Sequence, residues 1–167
     1  MFDRLQPGGA TGVEGELTVE SQVEALFAEF GDEEPPVVIL VASRADMEVM
    51  SEAEDELAQR GIDHHTIVVP NPQFAVHFAE TAALRGVRVI ICASSYNAPL
   101  TTLVALHTDV PVVGVPLSRG SLNGWDSLIA TAQSTPGSPV ACMAVDGARN
   151  AAIFATHVLN ALPLGPR

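Results

Sequence analysis

Two apolar, β-branched runs, Val87–Cys92 and Val110–Val115, set the pattern of the chain. Each is too short for a buried helix and is bounded by turn residues. Such runs read as central strands covered on both faces, as in a parallel sheet. Between them, Ala98–His107 places Leu100, Leu103, Val104 and Leu106 at helical spacing. The stretch is therefore a strand–helix–strand unit, for which a right-handed crossover is expected.

The same alternation extends in both directions. Val37–Ala42 reads as a first strand, Ser43-Arg44-Ala45-Asp46 as its loop, and Met47–Arg60 as a helix ended by Gly61. Asp63–Val69 follows as a strand, then Pro70-Asn71-Pro72-Gln73, where two prolines are expected to bar an early helical start. Phe74–Arg85 reads as a helix ended by Gly86. Beyond the central unit come a helix at Asp126–Gln133, a turn at Ser134–Ser138, a strand at Pro139–Val145 and a helix at Ala148–Leu162. The pattern predicts an α/β fold: a three-layer α/β/α sandwich around a doubly wound, mainly parallel sheet of about five strands, flavodoxin- or Rossmann-like. Ahead of it, residues 1–17 read as a polar arm. Thr18–Phe30 reads as an amphipathic helix with Thr18 as its N-cap, and Asp32–Pro36 as a linker. The expected organisation is an acidic extension over 1–35 and an α/β domain over 36–167. The helix at 18–30 either packs on the domain or docks on a neighbouring chain.

Composition narrows the chemistry. The 167 residues carry a net charge of −12, and residues 1–35 hold nine acids against the single base Arg4. Without a basic patch, nucleic acid is an unsuitable partner. No apolar run approaches the ~18 residues of a membrane span. Two cysteines form no disulfide framework, which sets a reducing, cytoplasmic location as the expectation. The sequence has no lysine, so Schiff-base chemistry is excluded. An anion has to be held by arginine, hydroxyls, backbone N–H groups or helix N-termini.

In open α/β sheets ligands bind beyond the carboxyl ends of the strands. Ser43 and Asp46 occupy the first such loop, where either also suits a helix cap. Asn71 and Gln73 occupy the second. Ser94, Ser95, Tyr96 and Asn97 offer three hydroxyls and an amide after the third strand, more than a turn requires. Arg119 lies in the loop after the fourth. Dinucleotide, P-loop and nucleophile-elbow motifs are absent. His64, His65, His77, His107 and His157 show no metal-ligand spacing, and Cys92 and Cys142 read as core.

The stretch Pro111-Val-Val-Gly-Val-Pro-Leu-Ser-Arg-Gly-Ser-Leu-Asn-Gly-Trp-Asp-Ser-Leu128 resembles a strand and loop of the phosphoribosylaminoimidazole carboxylase catalytic subunit family. That family includes the N5-carboxyaminoimidazole ribonucleotide mutases. Val38–Met50, Ala79–Ala82, Pro139–Val145 and Ala148–Ala152 add matches in the same order. The resemblance implies a three-layer α/β sandwich assembled as a homo-octamer. It also implies an aminoimidazole ribonucleotide as ligand, carboxyl transfer to the imidazole C4, and no metal or organic cofactor. It places phosphate and ribose at the first loop, with Ser43 and Asp46 matching the family's serine and aspartate and Ala45 standing for its second serine. Two loops depart from the family pattern. Pro70–Gln73 replaces a Ser-Ala-His-Arg-Thr-Pro loop that carries the general acid/base histidine and an arginine. Ala93–Thr102 replaces a glycine-rich loop, with Pro99 in place of its histidine.

The expected function is accordingly that of a divergent family member with an atypical active site. It binds a small anionic or nucleotide-like heterocycle and carries out carboxylation, decarboxylation or carboxyl migration. Asp46 and Tyr96 are its expected proton carriers. Ser43, Ala45, Asn71, Gln73, Ser94, Ser95, Asn97 and Arg119 are its expected ligand contacts. A catalytically inactive oligomeric binding module and an ordinary N5-carboxyaminoimidazole ribonucleotide mutase are the alternatives.

Overall fold

The computed structural model describes residues 18–29, 35–96 and 98–161. The arm expected over 1–17, most of the linker, Phe30, Asn97 and Leu162 lie outside the described residues. All five strands are parallel and stand in the order β2-β1-β3-β4-β5. They are β1 (Val37–Val41), β2 (His64–Val68), β3 (Val89–Ser94), β4 (Val112–Pro116) and β5 (Val140–Cys142). The helices are α1 (Val19–Glu29), α2 (Met47–Gln59), α3 (Pro72–Thr81), α4 (Pro99–Leu106), α5 (Trp125–Ala132) and α6 (Ala148–Ala161).

The sandwich follows from the two-residue period of each strand. On β1, Val38 and Leu40 face a core shared with α3 and α4, while Val37, Ile39 and Val41 face a second core shared with α2 and α6. Strand β3 divides likewise, with Ile90 and Cys92 on one side and Val89, Ile91 and Ala93 on the other. Every residue of β1, β3 and β4 is buried, hence their unbroken apolar reading. Each buried Val, Leu or Ile contributes about 1.5–3 kcal/mol of transfer free energy. At Gly114 on β4 a Cβ would lie 2.4 Å from Thr131 Cγ2, so the bare backbone lets α5 sit close on the sheet.

Several boundaries differ from expectation. Strand β3 runs Val89–Ser94 instead of Val87–Cys92, β4 runs Val112–Pro116 instead of Val110–Val115, and the helix expected over Phe74–Arg85 ends at Thr81, with a 3-10 turn over Ala82–Arg85 after it. Helix α3 begins at Pro72, with Asn71 Oδ1 accepting the Phe74 N–H at 2.8 Å. A proline at the first helical position loses no intrahelical hydrogen bond, so it starts the helix instead of barring it. Strand β5 is shorter than Pro139–Val145, although the Met143 and Asp146 N–H groups still bond to the Gly114 and Pro116 carbonyls.

Helix α1 packs on α3. Val23 is fully buried, and Phe27 stacks on Phe78 with ring centroids 5.5 Å apart. The Arg85 guanidinium lies 4.3 Å over the Phe27 ring and pairs with Glu24. At its start, the Ser21 N–H donates to Thr18 Oγ1 at 3.3 Å.

Candidate active site

The chain reverses direction across the sheet between β1 and β3, so their carboxyl ends diverge into a crevice. Two adjoining hollows occupy it, sharing Ala42, Pro99 and Leu100. The first, of about 310 Å³, gathers the polar side chains of Ser43, Asp46, Ser94, Ser95, Tyr96 and Arg119. The second, of about 260 Å³, is lined by Val69, Pro70, Asn71, Pro72 and Leu103. A larger hollow of about 400 Å³ lies at the opposite end of the sheet, among the carboxyl ends of α3 and α4 and the turn at Gly137. It is away from the strand-end loops.

Asp46 anchors the polar half. It closes a short 3-10 turn, Arg44–Asp46, and is only 2% exposed. Its Oδ2 accepts from both the backbone N–H and the hydroxyl of Ser43, each at 3.0 Å. Its Oδ1 accepts from the Ser95 hydroxyl at 3.4 Å. Arg119 reaches across from the loop after β4, its Nε 3.0 Å from Asp46 Oδ1 and a terminal nitrogen donating to the Ala45 carbonyl. That Nε is buried but lacks the alignment of a hydrogen bond.

The loop after β3 is strained. Tyr96 and Ala98 have φ of 56° and 48°. Left-handed backbone costs about 1–3 kcal/mol at a non-glycine residue. Such strain concentrates at ligand-binding loops. The Tyr96 ring is exposed and lies over Gly120, where a Cβ would stand 3.0 Å from its Cε1.

The structure thus gathers Ser43, Asp46, Ser95, Tyr96 and Arg119, with Ala45 at the rim through its carbonyl. Ser94 lines the same hollow, but its hydroxyl is buried against Thr101, 2.8 Å from Oγ1 and accepting the Thr101 N–H at 3.2 Å. It serves the start of α4. Asn71 borders the apolar half while capping α3. Gln73 lies elsewhere, in a groove with Val19, Glu20, Val76 and His77 between α1 and α3. Asn97 is outside the described residues. No histidine lines either half of the cleft. Among the described residues no group of three or more His, Cys, Asp or Glu side chains is placed to hold a metal.

The family model for AIR carboxylase matches residues 36–162. The chain belongs to the AIR carboxylase family. The match begins just ahead of β1, so α1 stands outside it. The N5-carboxyaminoimidazole ribonucleotide mutase of Saccharolobus solfataricus is 41% identical over 129 residues, which cover 75% of this chain and 82% of that one. The mutase of the same name from Bacillus subtilis is 38% identical over 133 residues, covering 77% and 82%. The crystal structure of Treponema denticola PurE superposes with a TM-score of 0.64 at 20% identity, over 74% of this chain and 79% of that one. This likeness is one of fold.

Within this AIR carboxylase fold, reading the sequence alone missed the apolar half of the cleft. Ala42, Val69, Pro70, Pro99, Leu100 and Leu103 form its walls. The available signal was position: all flank the same three strand-end loops as the polar candidates. Among the described residues, no helix is long and apolar enough to cross a membrane.

Proposed function

We propose that the chain binds an aminoimidazole ribonucleotide in the strand-end cleft and moves a carboxyl group on it, the reaction for which its relatives are named. The observation that carries this reading is the way side chains divide between two adjoining hollows at the switch point of the sheet, with Ser43, Asp46, Ser95 and Arg119 in one and Val69, two prolines and Leu103 in the other. A flat heterocycle suits walls of proline, leucine and valine. Ribose hydroxyls and an anionic group suit Ser43, Asp46, Ser95 and Arg119.

In carboxyl migration the exocyclic N–C bond of a carbamate breaks, a bond from that carbon to ring C4 forms, C4 loses its proton and the nitrogen gains one. A positioned acid/base group has to carry the proton. The ionisable groups lining the cleft are Asp46, Tyr96 and Arg119. Asp46 and Tyr96 are assigned this role here, and Ser43, Ala45, Ser95 and Asn97 are assigned ligand contact. The relatives favour the ordinary N5-carboxyaminoimidazole ribonucleotide mutase reaction over a divergent one, and Asp46 and Tyr96 are assigned its proton because, among the described residues, no histidine lines the two hollows.

That last observation also favours a second reading, binding without turnover. One experiment separates the two. The protein is titrated with aminoimidazole ribonucleotide and its C4-carboxylated form, thermal stability is read, and interconversion is followed by absorbance. A ligand at 100 times its Kd stabilises by about 2.7 kcal/mol. Stabilisation with turnover supports the first reading, and stabilisation without turnover the second. No stabilisation by either compound overturns both. Self-association belongs to the same proposal: Leu122, Trp125 and Ile129 expose an apolar strip on and before α5. Light scattering is expected to give the mass of eight copies, and a monomer mass overturns the assembly.

A further inference from the structure

We propose that Arg119 is the anion-binding, specificity-determining residue of the cleft, and that its ion pair with Asp46 is a clasp which a phosphate monoester displaces. The proposal rests on the reading above for the remainder of the ligand. It is carried by the way Arg119 is held.

Charge comes first. The chain is at −12, and the charged side chains lining the two hollows are Asp46 and Arg119. With these paired, the cleft offers an anion no net attraction. An entering phosphate has to take Arg119 away from Asp46.

Release leaves Asp46 well supplied. It keeps both Ser43 donors at 3.0 Å and the Ser95 hydroxyl at 3.4 Å. The guanidinium, by contrast, is only partly served, with a terminal nitrogen donating to the Ala45 carbonyl. Its Nε is buried 3.0 Å from Oδ1 yet makes no hydrogen bond. A buried donor without an acceptor is costly, so an acceptor that aligns with it gains what the present pair lacks. The planar guanidinium fork matches two phosphate oxygens.

The backbone beneath the side chain is fixed. Its own N–H bonds to the Leu117 carbonyl at 2.8 Å, and the Ser118 N–H donates to Asp146 Oδ1 at 2.9 Å. Gly120 follows with φ of 88°, under the Tyr96 ring. The side chain itself is 34% exposed, so it has room to swing on a rigid base.

The test is calorimetric titration of the wild type, Arg119→Gln and Arg119→Lys at fixed ionic strength. The probes are aminoimidazole ribonucleotide, its dephosphorylated riboside and ribose 5-phosphate. Loss of charge-assisted hydrogen bonds is expected to weaken Arg119→Gln for the ribonucleotide about 10- to 100-fold. Its affinity for the riboside is expected to stay unchanged. Arg119→Lys is expected to recover part of the loss, since it keeps the charge without the fork. Equal weakening toward ribonucleotide and riboside overturns the proposal, because it marks Arg119 as packing. So does wild-type affinity in Arg119→Gln. If the wild type ignores both imidazole compounds, the reading of function fails, and ribose 5-phosphate then decides the clasp. Binding by the wild type that is lost in Arg119→Gln upholds it. No binding by the wild type ends it. Thermal melts of each variant confirm that a folded protein is being compared.

Discussion

Asp46 and Glu56 are both buried carboxylates facing arginine, and they are opposites in every other respect. Glu56 projects from α2 with two guanidinium groups locked on it: Arg60 Nε at 2.7 Å from its own helix and Arg149 Nε at 2.8 Å from α6. Both make aligned hydrogen bonds. The hydrogen bond from Arg60, with that from Arg149 next, holds its carboxyl below the ordinary value of 4.5. Asp46 ends a 3-10 turn, meets one guanidinium out of alignment, and borders an open cleft. Saturated bonding between two helices ties the fold together. Incomplete bonding between loops at a hollow leaves capacity for a ligand. A buried ion pair therefore has to be judged by what remains unsatisfied around it, since burial and partner type are shared by both.

The comparison breaks if the two carboxylates respond alike to losing their charge. Asp46→Asn is expected to lower the turnover of carboxyl transfer at least about 100-fold while moving the melting temperature little. An absorbance assay alongside a thermal melt reads both. A large fall in melting temperature without loss of turnover would reassign Asp46 to the scaffold.

Glu56→Gln is expected to do the reverse. It should melt several degrees lower at neutral pH and bind ligand as the wild type does. The pH dependence has a definite sign. A carboxyl whose folded value is depressed contributes stability that is present above its ordinary value and lost as pH falls through the folded one. Melts of wild type and Glu56→Gln should therefore diverge above about pH 4.5 and converge below it. A gap that is constant with pH means the guanidinium pair is worth little.

Asn71 sharpens the contrast on a smaller scale. It borders the cleft, yet its side chain is spent on capping α3. Asn71→Ala is expected to cost about 1 kcal/mol in urea unfolding with ligand affinity unchanged. Loss of affinity without loss of stability would move Asn71 into the site.

The smallest effect concerns the thiols. Burial pushes the Cys92 thiol far up and raises Cys142 by less. Timed alkylation read by mass spectrometry should find Cys142 slow and Cys92 modified only after denaturation. Early labelling of Cys92 would mean that the sheet opens beside the site.

The central strands β1, β3 and β4 were legible, as Val37–Ala42, Val87–Cys92 and Val110–Val115, because burial on both faces leaves largely apolar runs. Five strands with alternating helices sufficed for the three-layer class, now matched by the sheet and by the family. Their lateral order was not legible, because Val37–Val41 carries no mark that says its neighbours are β2 and β3. Within the site, residue type did not show which polar groups also have a backbone task. Ser94 and Asn71, read as ligand contacts, line the cleft and each also serves a helix start. Gln73 is placed away from the crevice. Once Pro72 begins the helix, residue 73 turns toward α1 instead of the crevice. Spacing also gave no hint that Arg119 meets Asp46, a contact between loops far apart in the chain.

The order of the sheet has a consequence for how the chain is made. Strand β1 sits between β2 and β3, pairing Val37 with both His64 and Val89. Both partners are synthesised later, at about 5–20 residues per second. A nascent chain therefore carries Val-Val-Ile-Leu-Val for seconds with its edges open, a composition that promotes intermolecular β pairing. Charges on either side act as gatekeepers against it: Asp32, Glu33 and Glu34 precede the strand, and Arg44 and Asp46 follow. Asp46 guards the unfinished chain against its copies before it has a cleft to line.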